Sequence, residues 1–204
     1  MTVGGTRWDR LLRGLLPAAR GYGRLLQRDY WAVISNCRLR PSEVMALVAS
    51  RFSAFPPEEL VTFRRRDGSR APLEVGDELV VRIRWTGEFR VRVLHRDRCS
   101  LTLGTLAGHP EAGRITFGSY RNDYGDVIFH IRSRARASTR GMHLGFLATG
   151  EAMQTNTWTD FINRLAATVG DGVIGYIHAE TQRIPDEPAD GDAVMSPTFI
   201  AVAD

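Results

Sequence analysis

His109 and Glu111 flank a single proline, and Gly108 and Gly113 bracket the group in the stretch "GHPEAG". An imidazole titrates near neutral pH and a carboxylate two residues on can hold or take a proton, so the two could form an oriented acid/base pair. Pro110 biases His109 toward an extended backbone, which projects the ring away from the turn. The plainer alternative is a hairpin whose histidine caps backbone groups and whose Glu111 is solvated. Tyr120 and Arg121 stand beside the loop "RNDYGD"; at the mouth of a cavity they could polarise a carbonyl or hold a carboxylate. His109, Glu111, Tyr120 and Arg121 are therefore the candidate catalytic residues.

Trp85, Phe117, Phe129 and Trp158 are the candidate pocket lining, although aromatics at strand and helix spacing serve equally as core. His95, in register with Phe89, Val91 and Val93, is expected to point into the same cavity. His130 alternates with Phe129 and Ile131, so it is assigned with Arg132 to the opposite, solvated face. No His-x-His or His-x₃-His pair exists to seed a metal centre. No Ser-His-Asp order, phosphate loop or dinucleotide fingerprint occurs either, so the reading calls for no metal and no cofactor.

Positioning these residues requires elements, and their order is legible. Residues 7–28 carry Trp8, Leu11, Leu12, Leu15 and Leu16 at helical spacing, and "DYWAVISN" reads as a strand. "RPSEVMALVASRF" reads as a helix with Pro41 in its first turn. From Glu78 onward the period becomes two: Leu79, Val81, Ile83 and Trp85 share one face, and Phe89, Val91 and Val93 follow after Thr86-Gly87. With "CSLTLGTL", "GRITFGSY" and "DVIFHIRSR" this predicts an antiparallel meander. In "EAMQTNTWTDFINRLAATVG", Trp158, Phe161, Ile162, Leu165, Ala166 and Val169 form the apolar stripe of a long helix ending at Gly170. Residues 180–204, acidic and broken by Pro185, Pro188 and Pro197, read as an appendage. The division expected is an N-terminal helical extension (1–27), a main domain (28–170) and a C-terminal extension (171–204).

Composition narrows the class. The chain has 204 residues, 43% hydrophobic and 25% charged, enough for one core. No apolar run is long enough to span a membrane. Cys37 and Cys99 have no metal or redox spacing and suggest free thiols in a cytoplasmic protein. All 27 basic residues are arginine, which removes lysine chemistry. That bias is read as a mark of GC-rich coding. Arg64-Arg65-Arg66 and Arg132, Arg134 and Arg136 lack interleaved aromatics, so they are taken as solvated faces and no nucleic-acid partner is inferred.

Strand, helix, meander and long C-terminal helix, in that order, resemble the helix-grip fold of the Bet v 1/START-like superfamily, an α+β fold in which a curved antiparallel sheet wraps a long C-terminal helix. The local match is sharper. "DYWAVI", "GHPEAG" leading into a strand, "DVIFHIRSRAR" and Gln154 opening the last helix resemble the domain-of-unknown-function 1990 family. Arg114 and Ala135 depart from that pattern, which tends to have an acidic residue and a proline there. The resemblance implies a hydrophobic small molecule bound between sheet and helix. As an enzyme the protein would be a cofactor-independent cyclase, isomerase or dehydratase of a polyketide-like substrate, working by one proton transfer. The alternatives are a non-catalytic carrier or sensor of an apolar ligand, and a protein-interaction module. A homodimer is compatible with all three.

Overall fold

The computed structural model describes residues 7–188 and 191–199. Eight antiparallel strands form one sheet in the order β2-β3-β4-β5-β6-β7-β1-β8. They are β1 (Tyr22–Ile34), β2 (Val61–Arg65), β3 (Glu78–Ile83), β4 (Gly87–Arg96), β5 (Ser100–Thr105), β6 (Glu111–Arg121), β7 (Val127–Ala137) and β8 (Val173–Arg183). Four helices accompany them: α1 (Arg7–Leu12), α2 (Pro41–Arg51), α3 (Arg140–Val169) and α4 (Gly191–Met195). The predicted meander is β3 to β7. First-strand β1 then pairs with last-meander-strand β7, as Tyr30↔Ile131 and Ala32↔Phe129, and so joins the N-terminal strand to the meander.

Alternation sorts the strand residues into two faces. Tyr30, Ala32, Val81, Val91, Leu103, Phe117, Phe129 and Ile131 turn inward and meet Phe161, Ile162, Leu165 and Ala166 of α3. An aromatic knot fixes the contact: Phe129 stacks on Phe161 at 5.8 Å, and Phe52, just beyond α2, meets Phe117 edge-on at 5.0 Å. Gly170 ends α3 because nothing larger fits; a Cβ there would come within 2.3 Å of the Ser35 carbonyl oxygen.

Several expectations change. Only residues 7–12 of the proposed N-terminal helix are α-helical, and β1 begins at Tyr22. Gly14 (φ 74) and Pro17 break the helical run, while Arg92 donates to the carbonyls of Arg10 (3.0 Å), Leu11 (2.8 Å) and Arg13 (2.7 Å) and so caps α1 at its C-terminal end. The strand β2 was not anticipated. Nor was β8, which pairs with β1 from Val173↔Ile34 to Arg183↔Leu26 and lies inside the region read as an extension. Beyond it, Glu187, Ser196, Thr198 and Phe199 lie against the outer face of the sheet, on Arg114, Arg134, Thr116 and His130. The strand-like "TFIAVA" mostly lies outside the described residues. Among the described residues no helix is long and apolar enough to cross a membrane, and both cysteines are free thiols.

Candidate functional site

Where α3 lifts away from the sheet, a cavity of about 110 Å³ remains between them. Its walls are apolar: Phe63, Val81, Val91, Leu103 and Ile115 from the strands, Met153 and Trp158 from α3. Polar groups gather at one end. Glu111 is the first residue of β6, and its carboxylate lies 3.4 Å from the guanidinium of Arg28 on β1. Arg28 is 2% exposed, which makes it one of the most deeply buried charged groups in the protein. From the other side Gln154 of α3 donates its amide to the second carboxylate oxygen at 2.5 Å.

Burial lifts the Glu111 carboxyl above the ordinary carboxylate range, and the Arg28 charge and the Gln154 hydrogen bond oppose that rise without cancelling it. A carboxyl in that state holds its proton more readily than a solvated one and is suited to proton exchange. Two further polar atoms at the cavity wall, the Ser133 hydroxyl and the Gln154 side-chain oxygen, are buried and have no hydrogen-bond partner. Such atoms are costly unless something satisfies them.

His109 lies in the hairpin between β5 and β6, with its backbone N–H donating to the Leu106 carbonyl at 3.0 Å. Its Nδ1 lies 3.1 Å from both the backbone N–H and the carbonyl oxygen of Glu111, so the hairpin backbone fixes the ring in either tautomer. Burial takes its pKa down to about 4, with the Glu111 backbone hydrogen bond opposing, so the ring is neutral near pH 7. Phe89 meets it edge-on at 5.5 Å. His109 thus lines the cavity as a neutral imidazole rather than a cation. The histidine engages the hairpin backbone, and Glu111 is buried rather than solvated. Gly113 sits next on the same face with φ 152, and a Cβ there would come within 2.2 Å of the Arg134 carbonyl oxygen.

The structure does not bring the other candidates here. Tyr120 falls on the outer face, where its hydroxyl meets His130 Nδ1 at 3.2 Å. Arg121 is exposed and donates to the Gly125 carbonyl at 2.6 Å. Trp85 is 81% exposed, because β3 ends at Ile83 and the alternation stops before it. His95 is displaced by an irregularity between Val93 and His95, which turns it to Asp97 at 2.9 Å. Phe117 and Phe129 are fully buried core residues outside the cavity wall, whereas Trp158 does line it. Arg28 and Ser133 were missed. An arginine within "LLQRDYWAVI" looks like a surface position until β7 and β8 enclose β1, and only the alternation with Tyr30 and Ala32 could have indicated an inward side chain.

Sheet, enclosing helix and inner cavity make this a helix-grip protein. A family model described as "Domain of unknown function (DUF1990)" matches residues 46–164, and the chain belongs to that family. No curated protein matches it. Among solved structures, a hypothetical protein of Helicobacter pylori aligns with a TM-score of 0.50 at 9% identity, over 69% of this chain and 86% of its own. Truncated norcoclaurine synthase of Thalictrum flavum aligns at 0.49 and 9% identity, over 73% of this chain and 97% of its own. The di-domain ARO/CYC StfQ of the steffimycin biosynthetic pathway aligns at 0.49 and 10% identity, over 72% of this chain and 51% of its own. At such identities the likeness concerns fold alone.

Proposed function

We propose that the protein binds a small, mainly apolar molecule in the cavity between sheet and α3, with the molecule's polar group turned to Glu111. The observation that carries this reading is the Glu111 carboxyl, lifted by burial at the end of an apolar cavity and held between Arg28 and Gln154. On this reading Glu111 exchanges a proton with the bound molecule, Arg28 and Gln154 hold the carboxyl in place, and neutral His109 forms part of the wall beside it. An isomerisation or a dehydration could proceed this way without cofactor. At about 110 Å³ the cavity is well below the ~300–1,000 Å³ of drug-sized sites, which favours a compact substrate over a long polyketide chain.

The test is native mass spectrometry of protein purified from its own host, with extraction and identification of whatever is bound. A co-purifying apolar metabolite is the expected result. An empty protein whose melting temperature no apolar compound raises would overturn the proposal. With the ligand in hand, Glu111→Gln separates enzyme from carrier. Binding retained with turnover lost marks catalysis, whereas a carrier shows no turnover in either form.

A further inference from the structure

A second hollow lies beside the first. At the end of the sheet where the register of β1 against β7 shifts between Tyr22 and Leu26, an open groove of about 1,080 Å³ is lined by Arg24, Arg28, Arg136, Arg183, Ala137 and Asp186 among others. Four arginines thus line a groove in which Asp186 is the one acidic lining residue. Asp186 is engaged by Arg136 at 2.6 Å. Arg24 and Arg183 are exposed and make no ion pair among the described residues. The Arg136 side chain is only 9% exposed, and its Nε is buried with no hydrogen-bond partner.

The two hollows have no lining residue in common, but one ion pair spans the wall between them: Arg28 lines the groove while its guanidinium contacts Glu111 of the inner cavity. Ala137, at the groove, is the strand partner of Glu111, and Ala135, two residues back on β7, lines the cavity. A ligand with its apolar body inside and its head displacing the Arg28–Glu111 contact would have that head next to the arginines. Guanidinium forks match phosphate and carboxylate oxygens in pairs, and such charge-assisted bonds are the strong ones.

Resting on the binding reading above, we propose that the groove is an anion site and that the ligand of the cavity is a small amphiphile ending in a phosphate or carboxylate. The experiment is calorimetric titration of the full chain with hexyl phosphate, hexanoate, hexanol and inorganic phosphate. At least one hexyl anion is expected to bind about tenfold or more tightly than hexanol, with the advantage shrinking as salt is added. The tighter of the two anions identifies the head group. In Arg24→Glu/Arg183→Glu, whose melting curve controls for folding, the preference for the anion over hexanol should fall at least about tenfold. Arg24→Gln and Arg183→Gln singly are the fallback if the reversal unfolds the chain. Hexanol binding as well as either anion would overturn the anion site while leaving the cavity reading intact. Inorganic phosphate binding as tightly as hexyl phosphate would overturn the link between groove and cavity. If none of the four binds, the cavity reading falls and this proposal with it.

Discussion

The two faces of the sheet carry polar residues from the same strands, yet those residues end in opposite states. On the outer face Asp29 accepts from His130 at 2.7 Å and from Arg132 at 2.5 Å, while Gln27 donates to it at 2.9 Å. Arg114 and Arg134 share Glu187, at 2.5 and 2.8 Å, and Phe199 stacks on His130 at 4.6 Å. Glu187 and Phe199 thus add to a network in which Asp29 and Glu187 are each held by charged or hydrogen-bonding partners. On the inner face the polar groups are fewer, the medium is more apolar, and at the cavity wall the Ser133 hydroxyl and the Gln154 side-chain oxygen lack partners. The pKa directions reflect this contrast. Burial alone would raise both Asp29 and Glu111; hydrogen bonds from His130 and Arg132 reverse the effect at Asp29, whereas Arg28 and Gln154 fall short at Glu111. A closed network serves the fold, and an open one is available to a ligand.

Paired isosteric substitutions test that contrast most severely. Asp29→Asn removes the carboxylate that pairs with Arg132 and accepts from His130, and is expected to cost about 3 kcal/mol in denaturant unfolding. Glu111→Gln, measured at pH 5, replaces a carboxyl already disposed to be neutral and should stay within about 1 kcal/mol. Equal losses at the two positions would abolish the distinction between a structural face and a functional one.

The pH dependence of stability sharpens it next. Burial holds the folded-state pKa of His109 at about 4, below the ordinary value of 6.5. Below 6.5 the unfolded chain takes up the proton first, so the contribution of His109 is present above that pH and is lost as pH falls toward about 4. The two values imply a contribution of about 3 kcal/mol. His109→Gln should flatten the stability profile by that order between pH 6.5 and 4. For Glu111 the sign reverses. A raised carboxyl favours the folded state in its protonated form, so its contribution fades as pH climbs from the usual carboxylate range through the folded value. Glu111→Gln should remove that opposing slope. An unchanged profile in both variants would mean that neither group is as buried as the structure places it.

What the sequence revealed follows the same division. Period-two alternation through β3 to β7 and the stripe Trp158, Phe161, Ile162, Leu165 exposed the meander and the helix, because both are local patterns imposed by one apolar neighbour. The pairing of β1 with β7 and β8 is not local, and the alternation of β1 is masked because its outer-face Gln27 and Asp29 are buried against Arg134, His130 and Arg132 of β7. Phe199, stacked on His130, also explains why that residue, assigned to solvent, is only 8% exposed. In the site, "GHPEAG" placed His109 and Glu111 at the cavity, since hairpin chemistry is short-range. Arg28 comes from 83 residues away, and its alternation with Tyr30 and Ala32 is its one local trace.

Trp85 supplies the smallest effect and a control for the cavity. It continues the Leu79, Val81, Ile83 alternation in sequence, yet it sits in the turn after β3 at φ 63, stacked only by Arg84 at 4.6 Å. A bulky residue in left-handed backbone costs roughly 1–2 kcal/mol, which Trp85→Gly would relieve. Against that, the substitution gives up roughly 0.5–1 kcal/mol of exposed cation–π contact. It also frees an unfolded chain by about another 0.5–1 kcal/mol. The three terms nearly cancel, so the melting transition should move by no more than about 0.5 kcal/mol equivalent, and the affinity for hexanol should not change. A loss of hexanol binding in Trp85→Gly would instead put the hairpin tip of β3 and β4 into the ligand site and extend the functional surface beyond the inner face.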